Sequence, residues 1–232
     1  MNANIQTTKE VRKIEIDDEA VSKKIYMVIK RVIDIIGALV GCLGLLPLTL
    51  CIWIANIIAK DNGPVFYAHR RVGKNGKEFK MYKFRTMCNN AHDMVKDEES
   101  MKRYFTDEQI EEWKENFKID DDPRITKVGK FLRKTSLDEV PQVINILKGE
   151  LSIIGPRPVI GEELDKYKKN KDKFLSVTPG LTGYWAANGR SDTSYEERMA
   201  MELYYVDNIS LKLDIQIFFK TILSVLKREG AK

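Results

Sequence analysis

Histidine and cysteine are scarce in this sequence of 232 residues, and the few present do not cluster. Cys42, Cys51 and Cys88 lie far apart with no C-x-x-C, and two of them sit inside an apolar run. Neither a disulfide framework nor a zinc site is indicated, and a reducing compartment fits. His69 and His92 have no obvious partner and no H-E-x-x-H around them, which argues against a zinc hydrolase and leaves both with structural or surface roles. The glycines form no P-loop, because Gly73 to Lys77 reads G-x-x-G-K without the required G-x-x-x-x-G-K-[ST] frame. Internal repeats and low-complexity linkers are absent. Charge of one sign is not in large excess either: Lys+Arg 39 against Asp+Glu 34 gives a net +5. That balance suits an anionic partner, whether phosphate, a membrane surface or nucleic acid, and does not choose among them.

What the chain does have is one long apolar run. Ile35 to Ala59 contains no charged residue in 25 positions, about 37 Å of helix, enough to cross a bilayer core of about 30 Å. A long polar stretch precedes the run and no small-residue cleavage pattern follows it, so a signal peptide is not expected. Pro47 falls at its middle, with Gly37, Gly41 and Gly44 before it, which predicts a break or kink. Lys23, Lys24, Lys30 and Arg31 precede the run, and Lys60, Arg70, Arg71, Lys74 and Lys77 follow it. Both flanks therefore claim the cytoplasmic side. A Pro-broken re-entrant helix satisfies both, and a proline-kinked spanning helix stays open as the alternative. Asp34 is expected to pair with Lys30 or Arg31 near the headgroups.

The rest divides at a join near Lys60. Residues 1–22 read as a polar N-terminal tail or short surface helix, 23–60 as the membrane helix and 61–232 as a cytosolic domain. Gly63 to Met87 alternates β-formers around an Asn75-Gly76 turn, a hairpin pattern. Asn89 to Phe117 reads as charged helix with a solvated face. Asp122-Pro123 reads as a helix entry, followed by Ile125, Val128, Phe131 and Leu132 on one face and Lys127, Lys130, Arg133 and Lys134 around it, either a membrane-surface helix or an ordinary one. Leu211 to Lys227 is a further amphipathic helix. The fold class is α/β, mostly helical with a small β-hairpin or sheet.

Asp138-Glu139 admits two readings. Ser136 followed by Glu139, ahead of Val140, Val143, Ile144 and Leu147, matches a capping box, so the pair can be a helix cap. The sharper reading comes from arginines nearby: Arg133, then Arg157 between two prolines, then Arg190 after a Thr178-Pro179-Gly180 turn. Guanidinium groups bind phosphates bidentately, and paired carboxylates beside them can divide the labour, one holding Mg²⁺ and one attacking phosphorus. A helix N-terminus there would help keep both carboxylates ionised.

Seven blocks in order resemble the bacterial sugar transferase family, the monotopic polyprenyl-phosphate phosphoglycosyl transferases. They are Lys30-Arg31 with Asp34, Gly63-Pro64-Val65-Phe66, Lys83-Phe84-Arg85-Thr86-Met87, Asp122-Pro123-Arg124-Ile125-Thr126, Ser136-Leu137-Asp138-Glu139-x-Pro141-Gln142, Gly155-Pro156-Arg157-Pro158, and Pro179-Gly180 to Asn188-Gly189-Arg190. The resemblance implies a monotopic protein with a re-entrant helix broken at Pro47, on the inner leaflet of a bacterial cytoplasmic membrane, its catalytic domain facing the cytosol. It implies that Asp138 attacks the sugar-linked phosphate of a UDP-sugar, releasing UMP, and that polyprenyl (undecaprenyl) phosphate then takes the phosphosugar, which starts surface-glycan assembly. By the same similarity Glu139 holds Mg²⁺, while Arg133, Arg157 and Arg190 contact phosphate or nucleotide groups. The implied partners are the UDP-sugar, polyprenyl phosphate and membrane lipids, with no nucleic acid; homo-oligomerisation stays open.

The chain departs from the family pattern in two places. Leu46 precedes Pro47 where many members have serine, and Ala186 stands in a late block where members often carry glutamine. The multi-span extension of larger members is not seen, so a compact form is expected. The rival reading is a membrane-anchored binding protein whose basic helices hold anionic lipid and whose acidic pair only caps a helix.

Overall fold

A computed structural model of the chain describes residues 2–116, 119, 121–189 and 193–227. The first element, α1 (Asn2–Ile58), takes in most of the stretch read as a tail and continues into the apolar run without interruption. It remains helical through Pro47, where an interruption is expected from sequence. Proline removes one backbone donor there, and two residues later the Thr49 hydroxyl donates to the Leu45 carbonyl at 2.6 Å, a back-bond of the kind that bends helices. Helix ends at Ile58, and Lys60 turns the chain with a positive φ of 57°.

One stripe of α1 packs on the rest of the chain from Tyr26 to Asn56. Ala38 joins the core formed with Phe79, Met81, Val143, Ile146 and Leu151, and Ile52 joins Phe84 and Leu132. Polar contacts pin its start. Lys30 pairs with Asp214 at 2.7 Å, and Arg31 donates to the carbonyls of Ile146 and Leu147. Asp34, 5% exposed, accepts from the Ser152 hydroxyl and the Ile153 amide. The expected pairing of Asp34 with Lys30 or Arg31 is thus replaced: Lys30 pairs with Asp214, Arg31 donates to backbone carbonyls, and Asp34 accepts from Ser152 and the Ile153 amide. The opposite face is open and apolar, with Leu43 and Leu46 79% and 80% exposed.

The hairpin forms as read: β1 (Phe66–Val72) and β2 (Glu78–Phe84) are antiparallel, with Tyr67 opposite Lys83 and Arg71 opposite Phe79. Asn75 (φ 56°) and Gly76 (φ 77°) supply the left-handed turn. The charged stretch becomes α2 (Glu98–Tyr104) and α3 (Asp107–Asn116), which share a small core of Met94, Met101, Phe105 and Ile110. Asp122-Pro123 does not open the next helix. Asp122 is held by the Arg124 guanidinium at 2.6 Å, and α4 (Lys127–Lys134) starts under a Thr126 cap whose hydroxyl accepts from the Gly129 amide.

After a 3-10 segment (Leu137–Gln142) come α5 (Val143–Lys148), β3 (Ser152–Ile154), α6 (Gly161–Leu164), α7 (Lys171–Leu175), β4 (Gly180–Thr182), α8 (Tyr184–Asn188), α9 (Tyr195–Asp207) and α10 (Leu211–Lys227). β3 and β4 are parallel, so the described fold is mostly helical with two small sheets. Gly155, Gly180 and Gly183 sit where these backbones cross, and a Cβ on Gly155 would lie 2.6 Å from the Thr178 carbonyl oxygen. Gly155→Ala is expected to cost about 3 kcal/mol, read from the denaturant midpoint of the purified chain, because backbone cannot swing aside as a side chain can.

Candidate active site

The acidic pair lies in the 3-10 segment, and the capping box does not form. Ser136 adopts a left-handed conformation (φ 55°) and its side chain makes no capping bond. The Glu139 carboxylate instead accepts from Lys83 Nζ at 2.7 Å, and Asp138 Oδ2 lies 3.5 Å from the same ammonium. Both carboxylates thus share one cation delivered from the end of β2.

Four residues of the Lys83-Phe84-Arg85-Thr86-Met87 block have separate tasks. Phe84 fills the core beneath Ile52 and Leu132. Arg85 ties the turn after α1 through Pro64 and Asp61, at 2.6 and 3.0 Å. The Thr86 hydroxyl accepts from Arg133 Nε at 3.0 Å, which aims that guanidinium from α4 toward the pair. Lys83 carries no assigned role in the sequence reading, yet a signal was present: period two along β2 puts it on the face of the buried Phe79 and Met81.

The carboxylates differ in exposure, 13% for the Asp138 side chain and 39% for that of Glu139. Burial pushes the Asp138 carboxyl above the usual carboxylate range; Lys83 opposes this, Glu139 adds to it and Arg133 opposes it. The helix-terminus effect expected to keep it ionised does not prevail over desolvation. Burial also lowers the Arg133 guanidinium.

Arg157 falls in a different cluster. Its backbone amide donates to Glu202 Oε1 at 3.2 Å, and its guanidinium lies 5.7 Å from the centre of the Trp185 ring. Asp138, Glu139 and Arg133 therefore stand together with Lys83, Arg157 stands with Glu202 and Trp185, and Arg190 lies outside the described residues. Glu202 itself is 1% exposed, and burial pushes its carboxyl up to about 7. A carboxyl raised in the fold contributes stability at low pH that is lost as pH rises through its folded value. Glu202→Gln should therefore melt increasingly above the parent between pH 5 and pH 8, by up to about 3 kcal/mol, in paired melting curves.

For a divalent cation the described residues offer no cluster of three or more ligating groups. Mg²⁺ commonly uses one or two carboxylates and completes its shell with water and substrate phosphate. The partly exposed Glu139 beside Asp138 fits that donor set.

Fold and site together define a mostly helical α/β protein with an apolar helix long enough to associate with a membrane and a carboxylate pair set against cations. Comparison with known proteins agrees, since the bacterial sugar transferase family profile matches residues 25–228. An undecaprenyl-phosphate galactose phosphotransferase of Salmonella typhimurium is 41% identical over 212 residues, 90% of this chain and 43% of that protein. A UDP-galactose-lipid carrier transferase of Erwinia amylovora is 46% identical over 205 residues, 88% of this chain and 41% of its own length. The chain thus spans under half of these two relatives. The exopolysaccharide production protein ExoY of Rhizobium meliloti is 45% identical over 204 residues, 87% of both chains. The chain belongs to the bacterial sugar transferase family.

Proposed function

We propose that this chain transfers a phosphosugar from a UDP-sugar to a polyprenyl phosphate such as undecaprenyl phosphate, on the cytosolic leaflet of a bacterial membrane, as the opening step of surface-polysaccharide synthesis. The observation that carries this is the pair Asp138-Glu139, freed from any capping role and held by Lys83 in a chain of this family. In the first step an Asp138 oxygen attacks the sugar-bearing phosphorus. An Asp–O–P bond forms, the bond to the bridging oxygen breaks, and UMP leaves with that oxygen. In the second step an oxygen of the lipid phosphate attacks the same phosphorus and the Asp138 carboxylate is released. Lys83 and Arg133 favour the ionised form of Asp138 against its burial, and their charges suit the phosphate oxygens. Mg²⁺ held by Glu139 would neutralise diphosphate charge in this site.

The membrane part of the reading rests on α1. A helix crossing the bilayer leaves its cytosolic domain within a few turns, yet here the packed stripe runs from Tyr26 past Ile52 to the buried Asn56, about 45 Å. A re-entrant or in-plane helix in one leaflet meets that constraint, and the open side of α1 faces lipid. Exposed Phe131 on α4 and exposed Phe218, Phe219 and Leu223 on α10 extend the apolar surface. With Cys42, Cys51 and Cys88 replaced, single cysteines at Lys23 and Lys77 should label from the same side of sealed vesicles; labelling from opposite sides would mean a spanning helix.

The activity itself is tested by UMP release from detergent-purified protein across a panel of UDP-sugars, with and without polyprenyl phosphate and with Mg²⁺ or EDTA. Lipid-dependent release that EDTA stops is the expected result. Absence of release with every donor tried would favour the binding-protein reading.

A further inference from the structure

In residues 155–159 one side chain alone is exposed, that of Arg157, and the main chain around it is tied at every residue. The Gly155 amide donates to the Thr182 carbonyl, while the carbonyls of Pro156, Pro158 and Val159 accept from the Gly180 amide, Arg71 Nη1 and the Val72 amide. Pro156 and Pro158 have no N–H, so the Arg157 amide is the one main-chain donor between them. It donates to a side chain, Glu202 Oε1 on α9, at 3.2 Å. Glu202 is 1% exposed, and an apolar residue of similar size would fill the same space without the cost of burying a carboxyl. What the carboxyl adds is the fifth tie of the turn.

The side chain of Arg157 is guided separately. Its guanidinium lies 5.7 Å from the centre of the Trp185 ring on α8, within cation–π range. An exposed arginine samples many rotamers, and a ring beside it favours the few that keep the contact. The ring is itself held. Trp185 Nε1 donates to the Thr193 hydroxyl at 2.8 Å, and the Arg198 guanidinium lies 4.9 Å from the same ring and 5.2 Å from that of Tyr195. Arg198 and Glu202 stand one turn apart on α9, so one face of that helix supports both the ring and the turn.

We infer that Glu202 and Trp185 are positioning residues for Arg157, Glu202 fixing its main chain and Trp185 its guanidinium, so that the guanidinium meets the nucleotide donor already ordered. The family resemblance assigns a role to Arg157 and none to these two residues, and the inference rests on the proposed reading of Arg157 as a donor contact. Neither residue reaches the donor in this arrangement; each acts through Arg157. Ordering a long cationic side chain before binding removes an entropy cost that the ligand would otherwise meet.

Calorimetric titration of the full chain in detergent and Mg²⁺ with UDP, the part common to every UDP-sugar, tests this in single variants and in the same variants combined with Arg157→Ala. Arg157→Ala should weaken UDP binding at least tenfold. Trp185→Leu and Glu202→Met should each weaken it about fivefold, the scale of one cation–π contact or hydrogen bond. In the Arg157→Ala background each should change it less than twofold, because a residue that acts through Arg157 then has nothing to act on. Trp185→Phe keeps a ring and Glu202→Gln keeps an acceptor, and each should restore most of the lost affinity. Trp185 is half-buried, so Trp185→Leu keeps the test open where Glu202→Met fails to fold. Equal losses with and without Arg157, or unchanged binding in folded Trp185→Leu, would overturn the inference alone. A parent that binds no UDP at millimolar concentration, or an Arg157→Ala chain that binds as the parent does, would overturn it together with the reading of Arg157 as a donor contact.

Discussion

Asp138→Asn is expected to lower turnover by a factor of about ten thousand or more while leaving the fold intact, because an amide keeps the size of the side chain and cannot form the acyl phosphate. The variant should also be at least as stable as the parent near neutral pH. Burial raises the Asp138 carboxyl above its ordinary range, so the folded state holds its proton more tightly than the unfolded chain does. The associated stability is present at low pH and lost as pH rises through the folded value, and removing the ionisable group removes that loss. Melting curves and UMP release on one preparation check both parts. Turnover within tenfold of the parent would exclude Asp138 as the attacking group. A melting point well below the parent's would show that the carboxylate has a structural task.

Lys83→Met carries the second large effect. Among the described residues the ammonium is the one cation within 4 Å of both carboxylates, at 3.5 and 2.7 Å, and methionine keeps an unbranched stem of similar reach. Loss of one preorganised charge contact of this kind costs about a hundredfold to a thousandfold in turnover. A purely structural lysine would cost activity only through stability. The pH–rate profile separates these readings: Lys83 lowers the Asp138 carboxyl, so in its absence the acid limb should move to higher pH. An unmoved limb with a simple loss of folded protein would reduce Lys83 to a packing role.

Periodicity and turn chemistry made some of this legible in sequence. The Asn75-Gly76 turn needs positive φ at both residues, and the hairpin formed there. The apolar stripe of Leu211 to Lys227 matched the observed helix end for end. Local patterns misled where tertiary contacts outbid them. Ser136 and Glu139 have capping-box spacing, yet a left-handed serine and a lysine 56 positions away in sequence redirect the glutamate. Asp122-Pro123 looks like a helix start, but the Arg124 guanidinium takes the carboxylate first. At Pro47 the cost of one lost hydrogen bond did not interrupt a helix whose flanks are both anchored on the domain. The acidic pair was visible as a motif, and its bracing was not. Lys83, Thr86 and Arg133 meet only once β2 and α4 are packed, and Arg198 with Glu202 sits inside α9, a stretch to which the sequence patterns above assign no element.

The central claim is a covalent phosphosugar on Asp138, and intact-mass and peptide mass spectrometry of protein incubated with Mg²⁺ and a UDP-sugar, without lipid acceptor, tests it most directly. The account predicts a mass increase of one phosphosugar on the peptide containing Asp138, removed when polyprenyl phosphate is added. An enzyme that turns over with lipid while remaining unlabelled without it, or that carries the label on another residue, would contradict the account.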